Sequence, residues 1–477
     1  MVNRLTPREA MYYFLDEGSS TVHVGALIIV DPTADGAEPG LDYQSLVSLI
    51  EGRIQLAPRY RQLVKPVVLG LARPVWVDDP DFDINFHVRR AGLPRPGATE
   101  QLQDLVGRIL SRPLDPQRPL WEMYLIEGLA DGAMAILTKT HRCVLGPDSP
   151  ELSGLLLDAE PEFGEPAEDI WLPTRAPSQA QLAVDAIAEG LARPGELVES
   201  IVGNGPVGGL RDLVTSTASR ATEAISQVTN SAPPSRLNQA TTSTRSFAVA
   251  SIPVAEAARV AEQYRCGQRD VELAVVTGVL RRWMLSFTDT LGAGATVRVV
   301  LPIGSRPADD EADSGTGRPR DGWFGEDGPG FVTDLPVGEA NPTVVLAQVA
   351  GLATRNAQSA SRQTTRVSPL LPDLGVVPFG DAAARFFTSW NRHTYNLPIA
   401  VVATPIGQRW VRGVPVRELF GIPALLANRA LAIAVMTYAD HIEFAYLGDR
   451  GVMSDLPALV DYTHDAFDEI TDAEGGR

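Results

Sequence analysis

Cysteine, lysine and long apolar runs are scarce in this chain, and each scarcity narrows what it can be. Cys143 and Cys266 are the only cysteines among 477 residues. They cannot build a disulfide framework, and they lack the close spacing of zinc or iron–sulfur ligands, so no metal cofactor is expected. No apolar run reaches the roughly 18 residues that a membrane-spanning helix needs. The opening Met1-Val2-Asn3-Arg4-Leu5-Thr6-Pro7 has no signal-peptide stretch. A cytoplasmic protein is expected, at most peripheral at the inner face of the plasma membrane. Positive charge is short as well, 41 basic residues against 59 acidic ones for a net charge of -18. Nucleic-acid phosphates would be repelled and anionic lipid would find no electrostatic hold, so any membrane contact must be apolar or protein-mediated. Only Lys65 and Lys139 are lysine, against 39 arginines, a bias we read as compositional rather than mechanistic. No repeat of about 20 to 50 residues is present.

Hydrophobic residues make up 44% and charged residues 21%, as in ordinary soluble domains, and the length predicts two core-forming units. Residues 1–160 alternate strand and helix. Val22–Val30 and Ala133–Lys139 read as buried strands, and Leu102, Leu105, Val106, Ile109 and Leu110 fall at helical spacing before Arg112-Pro113 ends the helix. Residues 161–240 form a crossover rich in small residues and proline. It carries one helical pattern around Leu182–Ile187 and a second with Leu210, Val214, Ala218, Ala221, Ile225 and Val228 on one stripe. A packed connector is the expected role, with a lipid-facing helix as the alternative. Residues 241–477 resume the alternation. Arg245–Ile252 reads as extended, Val254–Tyr264 and Val271–Leu285 as helices, Val297–Pro302 as a strand, and Pro307–Gly322 as a polar surface loop.

Leu5-Thr6-Pro7, Phe14-Leu15, Val22-His23-Val24-Gly25, Pro58-Arg59-Tyr60-Arg61, Phe82–Arg89 and Pro119-Leu120-Trp121-Glu122 occur in an order that resembles the bacterial wax ester synthase/diacylglycerol acyltransferase family. That family belongs with the CoA-dependent acyltransferases and condensation domains. Gln268-Arg269-Asp270-Val271, Leu301–Arg306 and Asn396-Leu397-Pro398 extend the resemblance over nearly the whole chain. It implies an α/β fold of two chloramphenicol acetyltransferase-like subdomains joined by the long helical crossover, with a tunnel between them. Asp270, Arg306 and Asn396 would take tunnel or structural positions.

The same resemblance aligns Thr138–Pro147 with the family's His-His-x-x-x-Asp-Gly signature. His141 keeps the first histidine, while Arg142, Gly146 and Pro147 stand where the second His, the Asp and the Gly are expected. The second His is the family's general base, taking the proton of an alcohol that attacks an acyl-CoA thioester. Neutral imidazole can do this, whereas a guanidinium has no acceptor atom. The Asp anchors the loop through an arginine, here Arg306, and Gly146 removes that partner. Pro147 takes away a backbone donor, and Asp148 could compensate if the loop shifts register.

Among the histidines, His141 is expected to shape the loop or, failing that, to act as a rescue base, and His393 is the other candidate for a displaced base. His23 and His87 are expected to be satisfied in packing, and His441 and His464 to be peripheral. Cys143 is either an inert buried thiol or a thiolate helped by Arg142. The leading expectation is an inactive or strongly impaired acyltransferase kept for binding lipid, acyl-CoA or a partner protein such as a paralogue or a lipid-transport protein. Arg142 would then receive a carboxylate or phosphate. The alternative is an active O-acyltransferase making triacylglycerol or wax ester with a displaced base. No cofactor is expected, acyl-CoA entering only as substrate or ligand.

Overall fold

The computed structural model describes residues 3–16, 21–34, 41–68, 72–146, 149, 151–162, 171–192, 232–302, 330–360, 394–402, 405 and 407–473. Arg306, Pro147, Asp148, His393, the 210–228 stripe and the 307–322 loop lie outside them. In chain order the elements are α1 (Pro7–Leu15), β1 (His23–Val30), α2 (Tyr43–Arg53), β2 (Gln62–Lys65), β3 (Val75–Asp78), α3 (Ile84–His87), β4 (Val88–Gly92), α4 (Thr99–Leu110), β5 (Trp121–Glu127), β6 (Met134–His141), α5 (Ser153–Leu156) and α6 (Gln179–Ala192). There follow β7 (Arg245–Pro253), α7 (Val254–Tyr264), α8 (Gln268–Leu285), β8 (Val297–Pro302), β9 (Gly330–Leu335), α9 (Pro342–Ala360), β10 (Leu397–Val401), β11 (Trp410–Val411), β12 (Val414–Ile422), β13 (Leu431–Tyr438), β14 (His441–Asp449) and α10 (Ala458–Asp472).

Two six-stranded sheets carry the architecture, ordered β11-β12-β1-β6-β5-β4 and β7-β14-β13-β10-β8-β9. The first sheet is not built from the first half alone. β12 pairs antiparallel with β1, Gly25 opposite Ile422, so residues 410–422 of the second half close the sheet of the first. The partition 1–160, 161–240, 241–477 therefore divides the chain but not the sheets. β1 lies close against β6 because position 25 is glycine, where an added Cβ would sit 2.0 Å from the Thr138 carbonyl oxygen.

Strand alternation sorts the second sheet's side chains onto two faces. Ile442, Phe444 and Tyr446 join Leu431, Ile433 and Val435 against its own helices, including Val271, Val275 and Val279 of α8. Ala445 and Leu447, with Ala432, Ala434, Met436 and Phe247, turn the other way and join the core of the first sheet. One apolar core thus spans both halves, so neither half buries its surface without the other. In the crossover, Leu182 and Ala186 of α6 pack on Val67, Val75 and Val77, as a packed connector would, while Val184 and Ile187 stay exposed.

Candidate functional site

The sequence Thr6-Pro7-Arg8-Glu9 sets one wall. Thr6 caps α1, its Oγ1 accepting from the Glu9 N–H at 3.2 Å while Glu9 Oε2 accepts from the Thr6 N–H at 2.7 Å, a reciprocal cap with proline in the first turn. Glu9 is buried. Its carboxylate also takes the Trp76 indole N–H at 3.4 Å and lies 3.4 Å from the Arg59 guanidinium.

The opposite wall is the end of β6. This strand runs two residues past its predicted end and finishes at His141, directly across from His23 of β1. A short 3-10 turn, Arg142–Val144, follows. His141 starts it, Nδ1 accepting the Cys143 N–H at 3.1 Å, and the Arg142 N–H donates to the Val22 carbonyl at 2.9 Å. His141 Nε2 sits 3.2 Å from Asp16 Oδ2, in ion-pair range but off hydrogen-bond alignment. Burial opposes charging of this imidazole, but the Cys143 side chain and Asp16 outweigh it and push His141 up to about 10. In the neutral ring the Cys143 N–H fixes the remaining proton on Nε2. In the charged ring both nitrogens carry protons and the bond from the Cys143 N–H is lost, so the 3.1 Å contact is that of the neutral ring. Neither form offers a lone pair to a ligand.

Arg142 is only 2% exposed, and its guanidinium lies over the Tyr12 ring of α1, 5.0 Å from the centroid. Such a desolvated cation–π contact contributes about 2 kcal/mol. Gly146 faces the same wall, where an added Cβ would lie 3.5 Å from Glu9 Oε1. An acidic group therefore does occupy the space beside Gly146. It comes from α1 rather than from the turn.

His23 departs from expectation. It is buried and edge-on to His141, centroids 6.3 Å apart, and neither ring nitrogen meets a partner in good hydrogen-bond geometry, although the Leu110 backbone lies near enough to favour its charged form. Burial first, and then Lys139 and His141, hold it well below the usual histidine range. His87 is satisfied on one side only. Its Nδ1 bonds to the Trp121 carbonyl at 2.8 Å, while Nε2 lacks a partner. Its ring stacks on Trp121 at 4.5 Å, and burial lowers it to about 4. The Trp121 indole N–H in turn donates to the Tyr60 carbonyl at 2.8 Å, which joins three of the sequence motifs in one cluster. Lys139 is fully buried, its ammonium donating to the carbonyls of Ile109 at 3.1 Å and Arg112 at 2.5 Å, with Glu122 at 3.7 Å. It thereby caps the end of α4, and burial brings it down to about 8.

The remaining motif residues stand apart from this turn. Asp270 accepts the Gly267 N–H at 2.8 Å and starts α8. Asn396, fully buried, accepts the Arg298 N–H at 2.8 Å and donates to Pro233 O at 2.8 Å and Asn238 Oδ1 at 2.6 Å. It stitches the end of the crossover to β8. His441 pairs with Asp440 at the surface, and His464 is exposed. Asp16 was not marked by any sequence signal. Glu9 could have been found from its capping spacing. Among the described residues no cluster of His, Cys, Asp and Glu could hold a metal ion, and no helix is long and apolar enough to cross a membrane.

A family model described as the wax ester synthase/diacylglycerol acyltransferase catalytic domain matches residues 5–271, and one for the C-terminal domain of the same family matches 330–471. The chain is 43% identical over 203 residues to the probable diacylglycerol O-acyltransferase tgs3 of Mycobacterium tuberculosis, covering 42% of this chain and 73% of that protein. It is 27% identical over 502 residues to the probable diacylglycerol O-acyltransferase tgs1 of the same organism, covering 98% and 95%. Among solved structures, a wax ester synthase/diacylglycerol acyltransferase from Marinobacter aquaeolei superposes with a TM-score of 0.68 at 22% identity, covering 99% of this chain and 100% of that one. The first condensation domain of a calcium-dependent antibiotic synthetase reaches 0.55 at 14%, covering 99% and 97%. At these identities the structural likeness speaks for the fold alone.

Proposed function

Because the chain belongs to the wax ester synthase/diacylglycerol acyltransferase family, we propose that it binds acyl-CoA and a lipid between its halves but transfers the acyl group to an alcohol poorly or not at all. The observation that carries this is the end of β6. A guanidinium stands directly after His141, buried against Tyr12, where the family resemblance expects the base. Loss of a general base lowers the rate by roughly 10²–10⁴. His141 does not offer a substitute, since its two nitrogens face Cys143 and Asp16. The packing of Arg142 also favours a structural role for its guanidinium over capture of an anionic ligand.

The test is acyl-CoA consumption by the purified protein with diacylglycerol or hexadecanol as acceptor, comparing the native chain with Arg142→His. No turnover in the native chain and measurable turnover in the variant is the expected result. Full turnover in the native chain overturns the reading. Residual turnover abolished by His23→Ala would instead favour a displaced base, for which the buried, neutral imidazole of His23, without a partner in good hydrogen-bond geometry, is the supporting observation.

A further inference from the structure

Glu9, Tyr12, Tyr13 and Asp16 recur along α1 and its C-cap at the spacing of one helix face, and each meets the turn that follows β6. Glu9 lies beside Gly146, and Tyr12 carries the Arg142 guanidinium on its ring. The Tyr13 ring centroid is 6.4 Å from that of His141, and the Asp16 carboxylate faces His141 Nε2. The turn is fully covered as a result. His141, Arg142, Cys143 and Val144 are each no more than 2% exposed, so a substrate does not reach them in this conformation. Yet this is the turn that the family resemblance places at the reacting centre.

The two ends of α1 are held differently. The reciprocal Thr6–Glu9 cap fixes the first turn, backed by Trp76 and Arg59. The last turn carries no basic side chain and ends on Asp16, an acid at the negative pole of the helix, where that charge is unfavourable. This end is held by Leu15 in the core and by what Tyr12, Tyr13 and Asp16 touch in the turn opposite. Across from Gly146, Ser149 is 4% exposed, and its hydroxyl has no hydrogen-bond partner among the described residues. A buried polar atom left in that state is uncommon and costly, as expected of a turn that completes its polar contacts in another conformation.

We infer that the last turn of α1 is an autoinhibitory cover over His141–Val144, clasped shut by Arg142 on Tyr12, and that acyl-CoA binds only while the cover is lifted. This rests on the acyl-CoA binding proposed above and adds what regulates it. The capped first turn is the fixed end, so lifting means unwinding Tyr12 to Asp16. A neutral imidazole, which the family signature expects at position 142, makes no cation–π contact with a ring. The replacement that removes the base therefore also supplies the clasp.

The experiment follows hydrogen exchange at the amides of Tyr12 to Leu15 in the full chain, which reports how often the last turn opens, and measures palmitoyl-CoA affinity in parallel. Tyr12→Leu and Arg142→Met each remove the clasp and keep apolar bulk in its place. Each should raise exchange by roughly 30-fold, the worth of one desolvated cation–π contact. The double variant should gain little beyond either single change, since both remove the same contact. Palmitoyl-CoA should bind tighter by the same factor, because a ligand that selects a rare open state gains whatever the population of that state gains. Matching rises in exchange and affinity are the expected result. Faster exchange with unchanged or weaker binding overturns the cover and leaves the binding function standing, since a helix that merely supports the fold would behave that way. Exchange unmoved by either variant, or effects that simply add in the double variant, also overturn it. Absence of palmitoyl-CoA binding in every chain overturns the binding reading and the cover together.

Discussion

Restoring the signature's aspartate should damage the protein rather than repair it. In Gly146→Asp the new Cβ lies 3.5 Å from Glu9 Oε1, which brings two carboxylates within about 4 Å of each other. At an effective dielectric constant of ~20 such a pair repels by about 4 kcal/mol. The Arg59 guanidinium, 3.4 Å from Glu9 and one-fifth exposed, offsets part of this, as does water at the half-buried Gly146. A net destabilisation of about 2 kcal/mol follows. Glu9→Gln removes one charge and keeps the shape, so the double variant should recover most of the loss. Urea unfolding of the native chain, the two single variants and the double variant gives the coupling energy directly. A coupling below about 0.5 kcal/mol, or a Gly146→Asp chain as stable as the native one, would refute the claim that Glu9 already fills this space. For the same reason Arg142→His alone is the cleaner route to recovered acyl transfer.

Two further outcomes follow from buried groups. Glu443 is 2% exposed and bonded to Ser251, and burial pushes its carboxyl up to about 8 from an ordinary 4.5. A raised folded-state value gives stability that is complete below the ordinary value and lost as pH rises through about 8, so Glu443→Gln should outlast the native chain in urea by ~4 kcal/mol at about pH 9, with the advantage vanishing below about pH 4.5. Asn396→Ala removes the partner of the Arg298 N–H and two bonds to the crossover, and a loss of about 2–4 kcal/mol is expected in the same assay.

Local pattern revealed much of the scaffold. The run of branched residues before Val30 marked β1, and the helical spacing of Leu102, Val106 and Ile109 marked α4. α8 begins three residues earlier than its apolar run suggested, because Asp270 reaches back to the Gly267 N–H. What local pattern could not carry was the closure of the first sheet by β12, since Gly25 and Ile422 are paired across almost the entire chain. The site divides in the same way. His141 and Arg142 could be named from their strand and their motif resemblance. Asp16 could not, because it reaches His141 only through the exit angle of α1. Nor could the unsatisfied state of His23, which depends on what the strand opposite places beside it.

The two lysines, Lys65 and Lys139, offer a practical gauge of opening. Lys65 is half-buried with its ammonium on the Pro177 carbonyl, whereas Lys139 has no exposed surface at all beneath the end of α4. An amine-reactive label applied to the folded chain therefore meets one lysine side chain within reach, and gains a second only when α4 lets go of the sheet. Counting labelled Lys139 over time would report how often the end of α4 lifts from the sheet, without any engineered tag.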